Sequence, residues 1–311
     1  MVVGVTGASG FIGSALVRQQ LRAGHVVRCL TRRPDRQLPG VQIVEGNLEE
    51  PDDRLVRFAD GLDVLYHCAG DVADERRMHA VNVGGVRALL RAASGRIGRW
   101  VQLSSAGVYG QHRSGVISED TVPAPLGTYE RTKAEADALV IDAGRQGTIA
   151  SHVVLRPTIV FGSAMANPSI RQMIQVIRRG LFFFIGARGA SANYIHVSDV
   201  VQALVLCGTS VRAGGRVYNL SDWCTIEDFA GAIADALGRP RPRLRLPEPP
   251  VRCAARVVGR VAPFPLTESR VDALVTRSRY SIDRIQQELH FVPAVSIPAG
   301  LASMVARRDA A

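Results

Sequence analysis

Val2-Val3-Gly4-Val5-Thr6-Gly7-Ala8-Ser9-Gly10-Phe11-Ile12-Gly13 is the stretch on which the fold turns. Its first residues are apolar without alternation, the pattern of a strand covered on both faces. Glycines 7, 10 and 13 follow at once, and from Gly10 to Arg22 the spacing turns helical until Gly24 closes it. Glycines there permit a tight turn, close approach of the backbone to a pyrophosphate, and close helix–strand packing. The helix start adds free N–H groups and a positive dipole end. The spacing is G-x-x-G-x-x-G rather than G-x-G-x-x-G, so the strand before and the helix after carry the assignment. Gly7, Ser9, Gly10, Phe11, Ile12 and Gly13 are the candidate dinucleotide contacts.

Outward from this unit the pattern repeats. Val26–Leu30, Val41–Glu45, Asp63–Ala69, Trp100–Ser104 and His152–Leu155 read as strands. Glu75–Ala93 and Tyr129–Ala143 read as helices between them. Such alternation predicts βα units on a parallel sheet. After Arg156-Pro157 the rhythm changes. Ile170–Arg179, Asp228–Leu237, Val251–Val261 and Ser281–Leu289 read as helices, Pro240–Pro250 as a loop or edge, and Tyr194–Leu206 and Val217–Leu220 as a return to the sheet. The expected class is α/β: a Rossmann doubly wound parallel sheet over residues 1–160, with 190–222 returning to it. A smaller mixed α/β substrate domain spans 161–189 and 223–311.

The second strand bears on which dinucleotide binds. An acid at its end holds the ribose 2′-hydroxyl of NAD, whereas arginine accommodates the 2′-phosphate of NADP. Here the chain reads Thr31-Arg32-Arg33-Pro34-Asp35. Arg32 and Arg33 therefore favour NADP; NAD stays open if Asp35 folds back to the ribose.

Composition narrows the class further. The net charge is +10 over 311 residues, but the arginines are dispersed and no basic block carries interleaved aromatics, so no nucleic-acid partner is expected. No apolar run approaches the roughly 20 residues that cross a bilayer. Five scattered cysteines without a Cys-x-x-Cys pair argue against a disulfide framework or a metal site. With a buried strand in place of a secretion signal, a cytoplasmic protein is expected.

Lys133 is the only lysine among 38 basic residues. It stands four residues after Tyr129 in Tyr129-Glu130-Arg131-Thr132-Lys133, on the same helix face. An ammonium near a phenol favours phenolate and is expected to lower the tyrosine pKa from about 10. Lysine also offers donors to a nicotinamide ribose, and the tyrosine can exchange a proton with a hydroxyl or carbonyl while the cofactor carries the hydride.

These motifs extend over most of the chain. They include His67-Cys68-Ala69-Gly70, Asn82, Ser104-Ser105-Ala106-Gly107-Val108-Tyr109-Gly110, Arg156-Pro157-Thr158-Ile159-Val160-Phe161-Gly162, Tyr194-Ile195-His196-Val197-Ser198-Asp199-Val200 and Tyr280-Ser281-Ile282-Asp283. Together they resemble the extended short-chain dehydrogenase/reductase superfamily, in its NAD-dependent epimerase/dehydratase branch. The resemblance implies Ser105, with Ser104 as fallback, as the serine that hydrogen-bonds the reacting oxygen. It implies Tyr129 as acid/base and Lys133 as its partner. Cys68, Ala69, Gly70 and Asn82 would lie along the cofactor, as would Pro157, Thr158 and Ile159, with Asn47 and Leu48 near the adenine. Ser105, Ala106, Asn193 and Arg277 would face a small-molecule substrate, and a homodimer is implied.

Three departures qualify the resemblance. Asn47 replaces the aspartate usual at the adenine. Ala192 stands where nucleotide-sugar epimerases often place a phosphate-binding arginine, leaving Arg188, Arg277 or Arg279 to supply the charge. Ala106-Gly107 replaces the Asp-Glu pair of sugar dehydratases, which disfavours elimination of water. The expected activity is hydride transfer at a secondary alcohol or ketone, with a nucleotide-linked sugar as substrate and a 4-keto reductase as the type. A 4-epimerase retaining NAD is the first alternative. A hydroxysteroid dehydrogenase or flavonol-type ketone reductase is the second, supported by the pattern from Pro265-Leu266-Thr267 to Pro293. A non-catalytic dinucleotide sensor is the third.

Overall fold

The computed structural model describes residues 1–34, 39–165, 167–258 and 267–309. Asp35, the end of the helix expected to reach Val261, and Pro265-Leu266 lie outside the described residues.

Seven parallel strands form the central sheet. They are β1 (Val2–Thr6), β2 (Val26–Thr31), β3 (Gln42–Glu45), β4 (Leu62–His67), β5 (Ile97–Leu103), β6 (His152–Pro157) and β7 (Arg216–Leu220). Their order is β7-β6-β5-β4-β1-β2-β3. Chain direction across the sheet reverses between β1 and β4, so the loops leaving those two strands part and open a crevice at their carboxyl ends. Thr6 is paired with Leu30 on one side and His67 on the other, which brings the three loop starts level.

Helices cover both faces, which is why the strands read as unbroken apolar runs. On one face Leu16 and Val17 of helix Phe11–Arg22 meet Val200 and Leu204 of helix Val197–Thr209 over Val3, Val5 and Tyr66. On the other, Leu55 and Phe58 of helix Asp53–Ala59 pack with Leu89 of helix Gly85–Ala93 and Val140 of helix Thr128–Arg145. Side chains such as Phe58 and Leu89, fully withdrawn from water, each contribute about 1.5–3 kcal/mol.

The helix expected over Glu75–Ala93 forms with a π turn at Ala80–Gly84 in its middle. Asn82 lies in that turn and is buried. The return expected over Tyr194–Leu206 is split. Ser191–His196 pairs with Ile159–Phe161 and Asp222–Thr225 in a separate three-stranded sheet, and only Arg216–Leu220 joins the large one. The residues after His196 are helical because His196 caps them, its Nδ1 accepting from the Ser198 N–H at 3.3 Å, and the run to Thr209 is long enough for a helix.

Helices Ser169–Arg178, Ile226–Ala236 and Ile297–Asp309 bury Ile174, Phe229 and Leu301 together beside the small sheet. A two-stranded pairing of Ser114–Ile117 with Arg277–Tyr280 ties the C-terminal residues to the segment after β5.

Candidate active site

The loop after β1 is built as the glycine spacing requires. Gly7 takes φ +66°, and the Gly10 N–H donates to its carbonyl at 2.9 Å. A Cβ on Gly7 would lie 2.7 Å from the backbone of Cys68 and Ala69, and one on Gly13 would lie 2.1 Å from the Gly7 carbonyl oxygen. Beside this turn runs a cavity of about 430 Å³. Its walls include Gly7, Ser9 and Gly10 at one end, Cys68, Ala69 and Gly70 along the side, and Arg32, Arg33, Asn47 and Leu48 at the other. A glycine turn closed up against the Cys68–Ala69 backbone, beside a cavity with arginines at its far end, fits a dinucleotide. Phe11 turns away from it and packs with the C-terminal core, and Ile12 packs on the sheet core.

The far end holds residues the sequence did not reveal. The Arg32 guanidinium donates to Glu49 Oε2 at 3.2 Å, and Arg77 donates to Glu49 Oε1 at 3.0 Å. These bonds hold the Glu49 carboxyl below the usual carboxylate range, the Arg77 bond most of all. Glu49 and Arg77 both line the cavity. The Asn47 Oδ1 accepts from the Glu49 N–H at 3.1 Å, so this amide shapes its own loop. Glu49 and Arg77 are far apart in sequence and in ordinary surface contexts, so only the fold pairs them.

The catalytic candidates meet where the end of β5 lies against helix Thr128–Arg145. Lys133 Nζ donates to the Leu103 carbonyl at 2.5 Å, and the next residue, Ser104, donates its hydroxyl to Asp137 Oδ2 at 2.8 Å. Ser105 follows the strand end by two residues, and its Oγ caps the turn Ala106–Tyr109 by accepting from the Gly107 N–H at 3.1 Å. That turn abuts the first turn of the helix, where a Cβ on Gly107 would lie 3.0 Å from the Glu130 side chain. Cys68 links the two halves, lining the cavity and standing within the field of Lys133. Asn82 fixes the wall between them, with Nδ2 donating to the Asp71 carbonyl and to Thr132 Oγ1, each at 3.0 Å.

The Tyr129 phenol departs from the expected lowering. Burial pushes it up to about 12, with the Glu130 and Asp137 charges adding to the rise. Lys133 is itself drawn below its usual value by burial, opposed by Asp137, and its ammonium bonds the Leu103 carbonyl.

Other candidates sit apart from these. Thr158 donates to Ser221 Oγ at 3.1 Å, Pro157 ends β6, and Ile159 is about half exposed in the small sheet. Ala106 is buried. The Asn193 amide donates to the Ser278 carbonyl at 2.9 Å, while its Oδ1 is buried without a partner. Arg277 donates from its guanidinium to the carbonyls of Val275, Ala187 and Arg188, at 3.3, 3.0 and 3.3 Å. Nearby, Arg279 stacks 3.6 Å over the Trp223 ring. Among the described residues no helix is long and apolar enough to cross a membrane, and no group of histidine, cysteine and carboxylate side chains is placed to hold a metal.

Residues 3–221 match the model of the NAD dependent epimerase/dehydratase family. A ketoreductase of Stigmatella aurantiaca, acting on a farnesylated 3-oxo-dihydroquinoline oxide, is 31% identical over 234 residues, 72% of this chain and 69% of the relative. A 3 beta-hydroxysteroid dehydrogenase/Delta 5-->4-isomerase of Mycobacterium tuberculosis is 27% identical over 320 residues, 93% and 85% of the two chains. The structure of MoeE5 in complex with UDP-glucose and NAD is 26% identical, covers 100% of both chains and superposes with a TM-score of 0.77.

Proposed function

The chain belongs to the NAD dependent epimerase/dehydratase family, and from that premise we propose that it reduces the ketone of an apolar substrate to a secondary alcohol with NADPH. It is an NAD(P)-dependent enzyme of the extended short-chain dehydrogenase/reductase type. A bound nicotinamide supplies the hydride at this site. The Gly7–Gly13 turn and the Cys68–Gly70 wall hold the cofactor, and Lys133 faces its ribose.

One observation carries the reading: Tyr129 stands one helical turn before Lys133 on helix Thr128–Arg145, whose first turn lies against the turn that Ser105 caps, and burial raises its phenol so that it is a proton donor at neutral pH. A neutral phenol donates a proton to a carbonyl oxygen as hydride arrives at the carbon. Ser105 hydrogen-bonds the same oxygen and orients it.

The substrate class rests on what the pyrophosphate positions offer. Ala192 brings only a methyl group, the Asn193 amide is tied to Ser278, and Arg277 is engaged by three backbone carbonyls. A doubly charged diphosphate there would find no arginine at position 192 and an Arg277 already engaged, leaving only the exposed Arg188 and the Trp223-stacked Arg279 to compensate it, which disfavours a nucleotide-sugar. The ketoreductase and hydroxysteroid dehydrogenase relatives support an apolar ketone. The full-length likeness to MoeE5 with UDP-glucose favours a second reading, a nucleotide-sugar enzyme that keeps its NAD.

The test follows NAD(P)H absorbance with a steroid 3-ketone, a 2-alkyl-3-oxoalkanoate and a UDP-4-ketosugar, together with mass spectrometry of nucleotide released on denaturation. Turnover of an apolar ketone with an empty purified site is expected. Retained NAD near one equivalent, with UDP-glucose epimerised and no ketone reduced, would overturn the reading.

A further inference from the structure

Asp137 is a buried acid that the reaction above does not use. It is 1% exposed, one helical turn beyond Lys133 and on the same face. The last residue of β5 and the one after it grip the two side chains, the Leu103 carbonyl taking Lys133 and the Ser104 hydroxyl taking Asp137. Arg156 completes the clamp, its Nε donating to the same Asp137 Oδ2 at 3.0 Å. Arg156 is locked in turn, with Nη1 donating to the Tyr109 hydroxyl at 3.0 Å and that hydroxyl donating to Asn219 Oδ1 at 2.8 Å. The second carboxylate oxygen, Oδ1, is buried without a partner.

This arrangement is more than a solvent-excluded ion pair. A buried carboxylate held by Arg156 alone would be a structural strut, and its second oxygen would be expected to find a donor. Here the free oxygen belongs to a group within the field of a buried ammonium on the same helix face. The charged and titratable groups around Lys133 are few. Asp137 and Tyr129 share its helix, His67 and Cys68 come from the end of β4, and Arg156 stands behind Asp137 on β6. Asp137 is the only carboxylate among the groups named. Without it, Lys133 and Arg156 would be two buried cations with no counter-charge between them, which is costly.

We propose that Asp137 is a positioning residue for Lys133, a clamped carboxylate that supplies the ammonium's counter-charge and holds it against the end of β5. The proposal rests on the reading that Lys133 serves the cofactor, and it adds a residue to that site. The Ser104–Asp137–Arg156 clamp makes the ammonium's place a property of the sheet edge rather than of one flexible side chain. Moving the carboxylate would release Lys133 from both its charge partner and its register with Ser105.

The sequence supplies an unusual probe. Because Lys133 is the only lysine, protein labelled with [ε-13C]lysine and carrying no lysine in any tag gives one Cε resonance. Its pH titration reads the Lys133 ammonium with no substrate needed. In Asp137→Asn the midpoint is expected to fall by about one pH unit or more, since an opposite charge nearby favours the charged form. The alkaline limb of the pH–rate profile should move down with it, and kcat should drop about tenfold or more while the substrate KM changes little. If Asp137→Asn fails to fold, the double variant Asp137→Asn/Arg156→Gln removes the unpaired guanidinium and should show a midpoint still below the wild type, by less than the single variant because a nearby cation has gone as well. A midpoint and alkaline limb matching the wild type in a folded variant would overturn the inference and leave the functional reading intact. A wild-type resonance that neither NADH nor NADPH moves would instead overturn the role of Lys133 at the cofactor, and this inference with it.

Discussion

Gly13 lies directly beneath Gly7: a Cβ at position 13 would stand 2.1 Å from the Gly7 carbonyl oxygen. The obstacle is backbone, not the end of a movable side chain, so the loop or the helix must shift to admit a methyl group. The same carbonyl receives the Gly10 N–H that shapes the turn. Gly13→Ala should therefore cost stability at the upper end of the usual 1–3 kcal/mol of overpacking, and weaken NADPH binding more than it lowers kcat. Thermal unfolding and a cofactor titration by fluorescence check both. A variant with wild-type affinity would show that the loop does not need this close approach.

Tyr129→Phe keeps the ring and removes the proton. Turnover should fall by about 10²–10⁴-fold, with unfolding little changed. In the intact enzyme, the phenol held up to about 12 is protonated across the neutral range. Ketone reduction should be flat through neutral pH, while alcohol oxidation, which needs the ionised form, should climb steadily as pH rises. Rates in both directions from pH 6 to 10 decide it. Oxidation that is level from pH 6 upward would mean that the phenol is already ionised there.

Cofactor choice should lie with Arg32, Arg33 and Glu49. Arg32 is paired with Glu49, whereas Arg33 is exposed beside it. A 2′-phosphate has to draw Arg32 away from that carboxylate. Glu49→Gln should thus strengthen NADPH binding several-fold, and Arg33→Ala should weaken NADPH about tenfold while leaving NADH nearly untouched. If both variants change the two affinities equally, neither residue reads the 2′ position.

The chain's first unit was legible because every constraint there is local. A five-residue strand with four buried positions, a glycine turn and a helix start are consecutive, and Tyr129 and Lys133 are one helical turn apart. What escaped the sequence depends on pairing between distant segments. Asp137 sits on a helix face like any other core position, and only the register of β5 against that helix brings Ser104 and Lys133 to it. The lowered phenol expected from Tyr129 and Lys133 alone ignored burial, which spacing does not report and which dominates here. Ser191–His196 carries the residues of a sheet strand, but which sheet it joins is settled by its partners Ile159–Phe161 and Asp222–Thr225. Arg277 was a plausible phosphate ligand by type, and the fold gives it three carbonyls instead.

His67 gives stability a pH dependence of its own. Its ring is buried at the end of β4, bonded through Nδ1 to Thr6 Oγ1 at 2.9 Å and packed 5.4 Å from the Trp100 ring. Burial, with a smaller contribution from Lys133, lowers it to about 3. The folded value thus lies below the unfolded one of about 6.5. The folded state then prefers the neutral ring: the stabilisation is complete above pH 6.5 and is lost progressively as pH falls toward 3. His152 and His196 are lowered in the same direction by burial and add to the slope. His67→Gln retains a side-chain amide for Thr6 but does not titrate. Its unfolding midpoint should start lower than wild type at pH 7.5 and fall less between pH 6.5 and 4.5, a range above most carboxylate titration. Denaturant melts at several pH values across that window measure the two slopes. Equal slopes would place the acid sensitivity in the other histidines and remove His67 from it.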